Sequence, residues 1–66
     1  MELVLNGQPT ALVGSTTVAG LIAQLGFTGK RIAVERNGEI VPKSTYGVTA
    51  LVAGDQLEIV IAVGGG

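Results

Sequence analysis

Few side chains in this sequence could do chemistry. None of the 66 residues is cysteine or histidine. That excludes a thiolate nucleophile, a disulfide, a cysteine-ligated zinc site and the side chain that titrates nearest neutrality. Lys43, Ser44 and Tyr46 cluster, but nothing near them supplies a base or an oxyanion site. Asp55, following Gly54, reads as a turn residue rather than a metal ligand or catalytic acid. What remains is the main chain itself, at Gly64-Gly65-Gly66. Three residues extended at ~3.3–3.6 Å each would hold the Gly66 carboxylate about 10 Å beyond the preceding strand. A strip without Cβ atoms enters a cleft where any side chain would collide. Its carboxylate reacts once an oxygen becomes a leaving group. Attack on the α-phosphate of ATP achieves this, giving an acyl-adenylate that a sulfur or nitrogen nucleophile can displace. Catalysis would belong to partner proteins, so the chain reads as a co-substrate of other enzymes and not as an enzyme.

Such a tail needs a rigid base, and the hydrophobic pattern supplies one. Residues 1–5 alternate as a strand, Asn6-Gly7 suits a tight hairpin turn, and residues 8–13 return with Thr10 and Leu12 on one face. Pro9 places that return strand at a sheet edge. Ser15-Thr16-Thr17 supplies helix N-cap candidates, Val18, Leu21, Ile22 and Leu25 form one apolar stripe, and Gly26 closes the helix. Gly20 falls at the third helical position and weakens the helix by ~1 kcal/mol relative to alanine. A second hairpin turns at Asn37-Gly38 and stops at Pro42. Residues 43–54 are mostly irregular, with a short helical turn over 44–46. Residues 56–63 make the clearest strand, with Leu57, Ile59, Ile61 and Val63 in one row and Glu58, Val60 and Ala62 in the other. Apolar on both faces, it belongs in mid-sheet, parallel to the first strand across the helical crossover. The helix must then cover the sheet.

Bulk composition narrows the partners. Five acids against four bases give a net charge of −1, without the basic footprint that phosphate backbones demand. Phe27 and Tyr46, the two aromatics, make no base-stacking platform. Mean hydropathy is high at +0.57, yet no apolar run approaches the ~18–20 residues of a membrane span. The acidic start differs from a signal peptide. These features predict a cytoplasmic protein, monomeric when free, with no nucleic-acid or membrane partner. The bases Lys30, Arg31, Arg36 and Lys43 read mainly as solvated surface, with steering toward acidic partners as the other reading.

The order of elements and the glycine terminus resemble the ubiquitin β-grasp fold, and more closely the small sulfur carriers of thiamine biosynthesis, the ThiS family. The matching pieces are Thr17-Val18-Ala19 with Leu21-Ile22, Ala33-Val34 followed by residues 37–43 (NGEIVPK), and residues 54–60 (GDQLEIV) running through Ala62-Val63 to the glycines. Gly20 stands where the family commonly has an acid, and Tyr46 where tryptophan is frequent. The resemblance implies an α+β fold, a mixed sheet of four to five strands on one helix. Residues 1–63 would form the domain and residues 64–66 a flexible tail. It further implies that an E1-like adenylyltransferase activates Gly66 with MgATP and that no cofactor is bound by the carrier. A persulfide donor of the cysteine desulfurase or rhodanese type then supplies sulfur as a C-terminal thiocarboxylate, and thiazole synthase consumes it. Gly64, Gly65 and Gly66 would enter the partners' active sites.

Val60 and Ala62, on the face opposite the core row and beside the tail, form with Val63 a candidate docking patch, unless a neighbouring loop covers the Val60 face. Other readings share the scaffold. A ubiquitin-like modifier would join the same carboxylate to lysines, and related carriers serve molybdopterin, tRNA thiolation or cysteine synthesis. A passive β-grasp interaction domain would use no covalent chemistry.

Overall fold

Two Asn-Gly pairs fold the sheet. Asn6 and Gly7 take φ of 50° and 80°, and Asn37 and Gly38 take 52° and 85°, the paired positive values of the turn whose twist matches its flanking strands. In the computed structural model, which describes residues 1–14 and 16–62, the first turn joins β1 (Glu2–Leu5) to β2 (Gln8–Ala11). The second joins β3 (Ile32–Arg36) to β4 (Glu39–Ile40). The helix α1 (Val18–Gln24) lies between the hairpins, a 3-10 turn (Lys43–Thr45) follows β4, and β5 (Gln56–Ile61) comes last.

The sheet order is β2-β1-β5-β3-β4. As the hydropathy pattern predicts, β5 is central, parallel to β1 and antiparallel to β3, and the Pro9 strand is an edge. The return strand is shorter than expected: it ends at Ala11, and Leu12 turns into the core while Val13 is exposed.

The core lies between α1 and one face of the sheet. Leu3, Val34, Leu57 and Ile59 point from the strands toward Val18, Leu21 and Ile22, and Leu12, Val41 and Leu51 close the margins. Thr17 caps the helix, its Oγ1 accepting from Gly20 N–H at 3.2 Å. Gly20 has a packing reason, since a Cβ there would run into the Thr16 side chain. The Thr16 backbone is fixed by its carbonyl, which accepts from Leu51 N–H at 2.9 Å, while its hydroxyl can rotate about the Cα–Cβ bond. Among the described residues, no helix is long and apolar enough to cross a membrane.

Candidate functional site

The last strand is gripped along both edges. On one side β3 runs in register with it from Arg36↔Leu57 to Ile32↔Ile61, and Ala62 N–H continues the ladder to the Arg31 carbonyl at 2.9 Å. On the other side β1 pairs only through Val4↔Gln56 and Leu5↔Leu57 before the chain turns away. The Asn6 carboxamide then takes the place of a further peptide unit. Its Oδ1 accepts from Ile59 N–H at 2.9 Å and its Nδ2 donates to the Ile59 carbonyl at 3.3 Å. A turn residue thus extends the sheet by one rung toward the tail.

The start of β5 is anchored by the other asparagine and by Asp55. Asn37 Oδ1 accepts from Gln56 N–H at 2.9 Å, and its Nδ2 donates to Asp55 at 3.0 Å. Asp55 is buried and also accepts from Arg36 Nε and from Val52 N–H, each at 2.9 Å. Beyond the turn residue that the sequence suggests, Asp55 is the hub joining the β3–β4 turn to the loop before β5. Burial alone would push its carboxyl up. The hydrogen bonds from Val52, Arg36 and Asn37, with the charge of Arg36, outweigh that and hold it below the ordinary value. The pairing also removes Arg36 from the set of solvated bases.

At the far end the strand changes character. Val60 is 64% exposed and Ala62 is exposed, on the face opposite α1. Exposed Ala33 stands opposite Val60, and Glu35 stands opposite Glu58 on the same face. Among the described residues, no neighbouring loop covers Val60. The inward row ends sooner than the alternation suggests, because Ile61 is 37% exposed where Leu57 and Ile59 are buried. Val63, Gly64, Gly65 and Gly66 lie outside the described residues.

Sequence reasoning missed the clamps at Asn6, Asn37 and Asp55. An Asn-Gly pair signals a turn whatever its side chain bonds to, and each partner here lies 18 to 53 residues away. Lys43, Ser44 and Tyr46 fall on and beside the 3-10 turn. Among the described residues, no three His, Cys, Asp or Glu side chains gather as a metal site would require.

Comparison with known proteins follows the same outline. A model of the ThiS family matches residues 3–66. A thiazole synthase of Paramagnetospirillum magneticum is 50% identical over 66 residues, which are 100% of this chain and 20% of that protein. A thiazole synthase of Magnetococcus marinus is 44% identical, with the same 100% and 20% coverage. The chain thus spans about a fifth of the length of these two relatives. The sulfur carrier protein ThiS of Bacillus subtilis is 40% identical over 65 residues, 97% of this chain and 98% of that protein. The crystal structure of the thiamine biosynthesis protein (ThiS) from Geobacter metallireducens aligns at a TM-score of 0.85 with 32% identity, over 100% of both chains.

Proposed function

The chain belongs to the ThiS family, and from that premise we propose that it is a sulfur carrier of thiamine biosynthesis whose reacting group is the carboxyl of Gly66. The observation that carries the reading is continuity. The family match runs through the glycines to Gly66, and they follow, after Val63, a strand hydrogen-bonded on one edge up to Ala62 and on the other up to Ile59. On this reading residues 1–63 would be the β-grasp domain and residues 64–66 its reacting glycine segment. Four residues beyond Ala62 extend at most about 14 Å, which fixes how deep a partner's catalytic centre can lie.

The chemistry requires a free carboxyl at Gly66. Its oxygen attacks the α-phosphate of MgATP within an E1-like adenylyltransferase, the bond to pyrophosphate breaks, and an acyl-adenylate forms. The terminal sulfur of a persulfide, from a desulfurase or rhodanese-type donor, attacks the carbonyl and expels AMP. A thiol then cleaves the sulfur–sulfur bond and leaves the thiocarboxylate. Thiazole synthase consumes that sulfur, and the free carboxylate returns. The presence of a segment like this whole chain within two thiazole synthases supports that partner.

The carrier binds no cofactor of its own and is no enzyme. Its contribution is a fixed post, an unhindered acyl carbon and the patch of Val60, Ala62 and Val63, which would hold both partners while the tail reacts. It works in the cytoplasm. ATP–pyrophosphate exchange with the activating enzyme tests the first step. Exchange should depend on the carrier and vanish when Gly65 and Gly66 are deleted. Exchange that survives the deletion would overturn the assignment of Gly66.

A further inference from the structure

We propose that a groove on the helix side of the molecule docks an acidic, apolar-anchored segment of a partner protein. The groove, of about 350 Å³, has Ile22, Phe27 and Ile32 in its lining, and Lys30, Arg31 and Lys43 stand at it. These are three of the chain's four basic side chains, and no acidic residue lines the groove. The fourth, Arg36, is paired with Asp55. Among the described residues, the side-chain cations without an ion-pair partner therefore gather in one place, in a chain with a net charge of −1, while Glu35 and Glu58 sit across from one another on the sheet's other face.

The gathering is tertiary. Lys30 and Arg31 come from the segment leading into β3, whereas Lys43 begins the 3-10 turn. All three are exposed, and like charges brought together without a counter-charge repel, so the arrangement favours an anionic occupant. The floor makes a second demand. Phe27 and Ile32 are only half-buried, and covering them removes apolar surface from water, which a bare inorganic anion cannot do. An acidic peptide segment carrying one aliphatic or aromatic side chain meets both demands.

Position adds a consequence. The Arg31 carbonyl receives the Ala62 N–H at 2.9 Å, so the groove adjoins the point where β5 gives way to the tail. A partner could hold the groove and the tail at once, and Phe27 borders both the groove and a depression lined by Val60. Docking here does not depend on the sulfur chemistry proposed for Gly66, and the probe below carries neither sulfur nor nucleotide.

The test is an amide NMR titration of the full chain with a blocked peptide of alternating glutamate and leucine. The controls are the same peptide with lysine for glutamate, and inorganic phosphate alone. Saturable shifts should centre on residues 27–32 and 43–46. The triple variant Lys30→Glu, Arg31→Glu, Lys43→Glu should weaken binding by about tenfold or more, as should raised salt. Glu58→Lys, on the other face, should not weaken it. The altered side chains are exposed, and a dispersed spectrum of the variant confirms its folding. Four outcomes would each overturn the proposal: no saturable shift at millimolar peptide, equal binding of the lysine peptide, the same shifts with phosphate alone, or undiminished binding by the triple variant.

Discussion

Replacing Asp55 with alanine probes what fixes the base of the last strand. The substitution removes acceptors for Val52 N–H at 2.9 Å, Arg36 Nε at 2.9 Å and Asn37 Nδ2 at 3.0 Å. A hydrogen bond to a charged group contributes ~1.5–3 kcal/mol, but three full shares would overcount. The Arg36 side chain is 31% exposed and Asn37 is exposed, so water recovers most of theirs and leaves ~0.2–1 kcal/mol each. The total is about 3 kcal/mol, against roughly 3–10 kcal/mol for a domain of this size. The midpoint of thermal unfolding should fall by roughly 12–24 °C. With no tryptophan and one tyrosine, far-UV circular dichroism in heat and urea is the suitable probe. A loss below about 1 kcal/mol would refute the hub. The sign of the pH dependence checks the charge. The folded-state value of Asp55 is lowered, so its contribution is full above the unfolded value near ~3.9 and drains away as pH falls through the folded one. Asp55→Asn should therefore differ most from the wild type at neutral pH, and the gap should close in acid. A gap that stays constant down to strong acid would contradict the assignment.

Other perturbations separate scaffold from surface. Val60→Asp, at a side chain 64% exposed, should leave the melting temperature nearly unchanged yet weaken binding to thiazole synthase about tenfold, measured by calorimetry; equal affinity would exclude the patch. Glu58→Gln relieves a carboxylate that faces Glu35 across the strands, and urea unfolding should show a gain of ~0.2–1 kcal/mol, with a loss counting against the pairing. Asn6→Ala removes both side-chain bonds to Ile59. Hydrogen exchange at the Ile59 amide should rise about tenfold or more, and an unchanged rate would show that the carboxamide is not holding the strand.

Much of the scaffold was legible because its signals are local. The two Asn-Gly turns, a helix cap within residues 15–17, Pro9 at an edge and the alternation through residues 56–60 each express a backbone preference that a few residues decide. What escaped depended on contacts between distant segments. Asp55 follows a glycine as many turn residues do, and only the fold brings Arg36 and Asn37 to it. Ile61 continues a perfect alternation, yet it is 37% exposed, because how far the core extends along the strand is set by distant segments. The basic groove was equally hidden, since Lys43 joins Lys30 and Arg31 only when the 3-10 turn packs beside the helix. The candidate reacting group was legible for a different reason. It needs no partner within the chain, and its chemistry follows from the absence of side chains.

The central claim is a covalent change at one carboxyl group. Intact mass spectrometry, with tandem fragmentation, of the carrier incubated with its activating enzyme, MgATP and a persulfide donor reads that change directly. Replacement of one oxygen by one sulfur, localised to Gly66 and dependent on ATP, is the expected result. An unmodified Gly66 under conditions where the enzyme and donor are active, or a product joined to lysine in its place, would contradict the account.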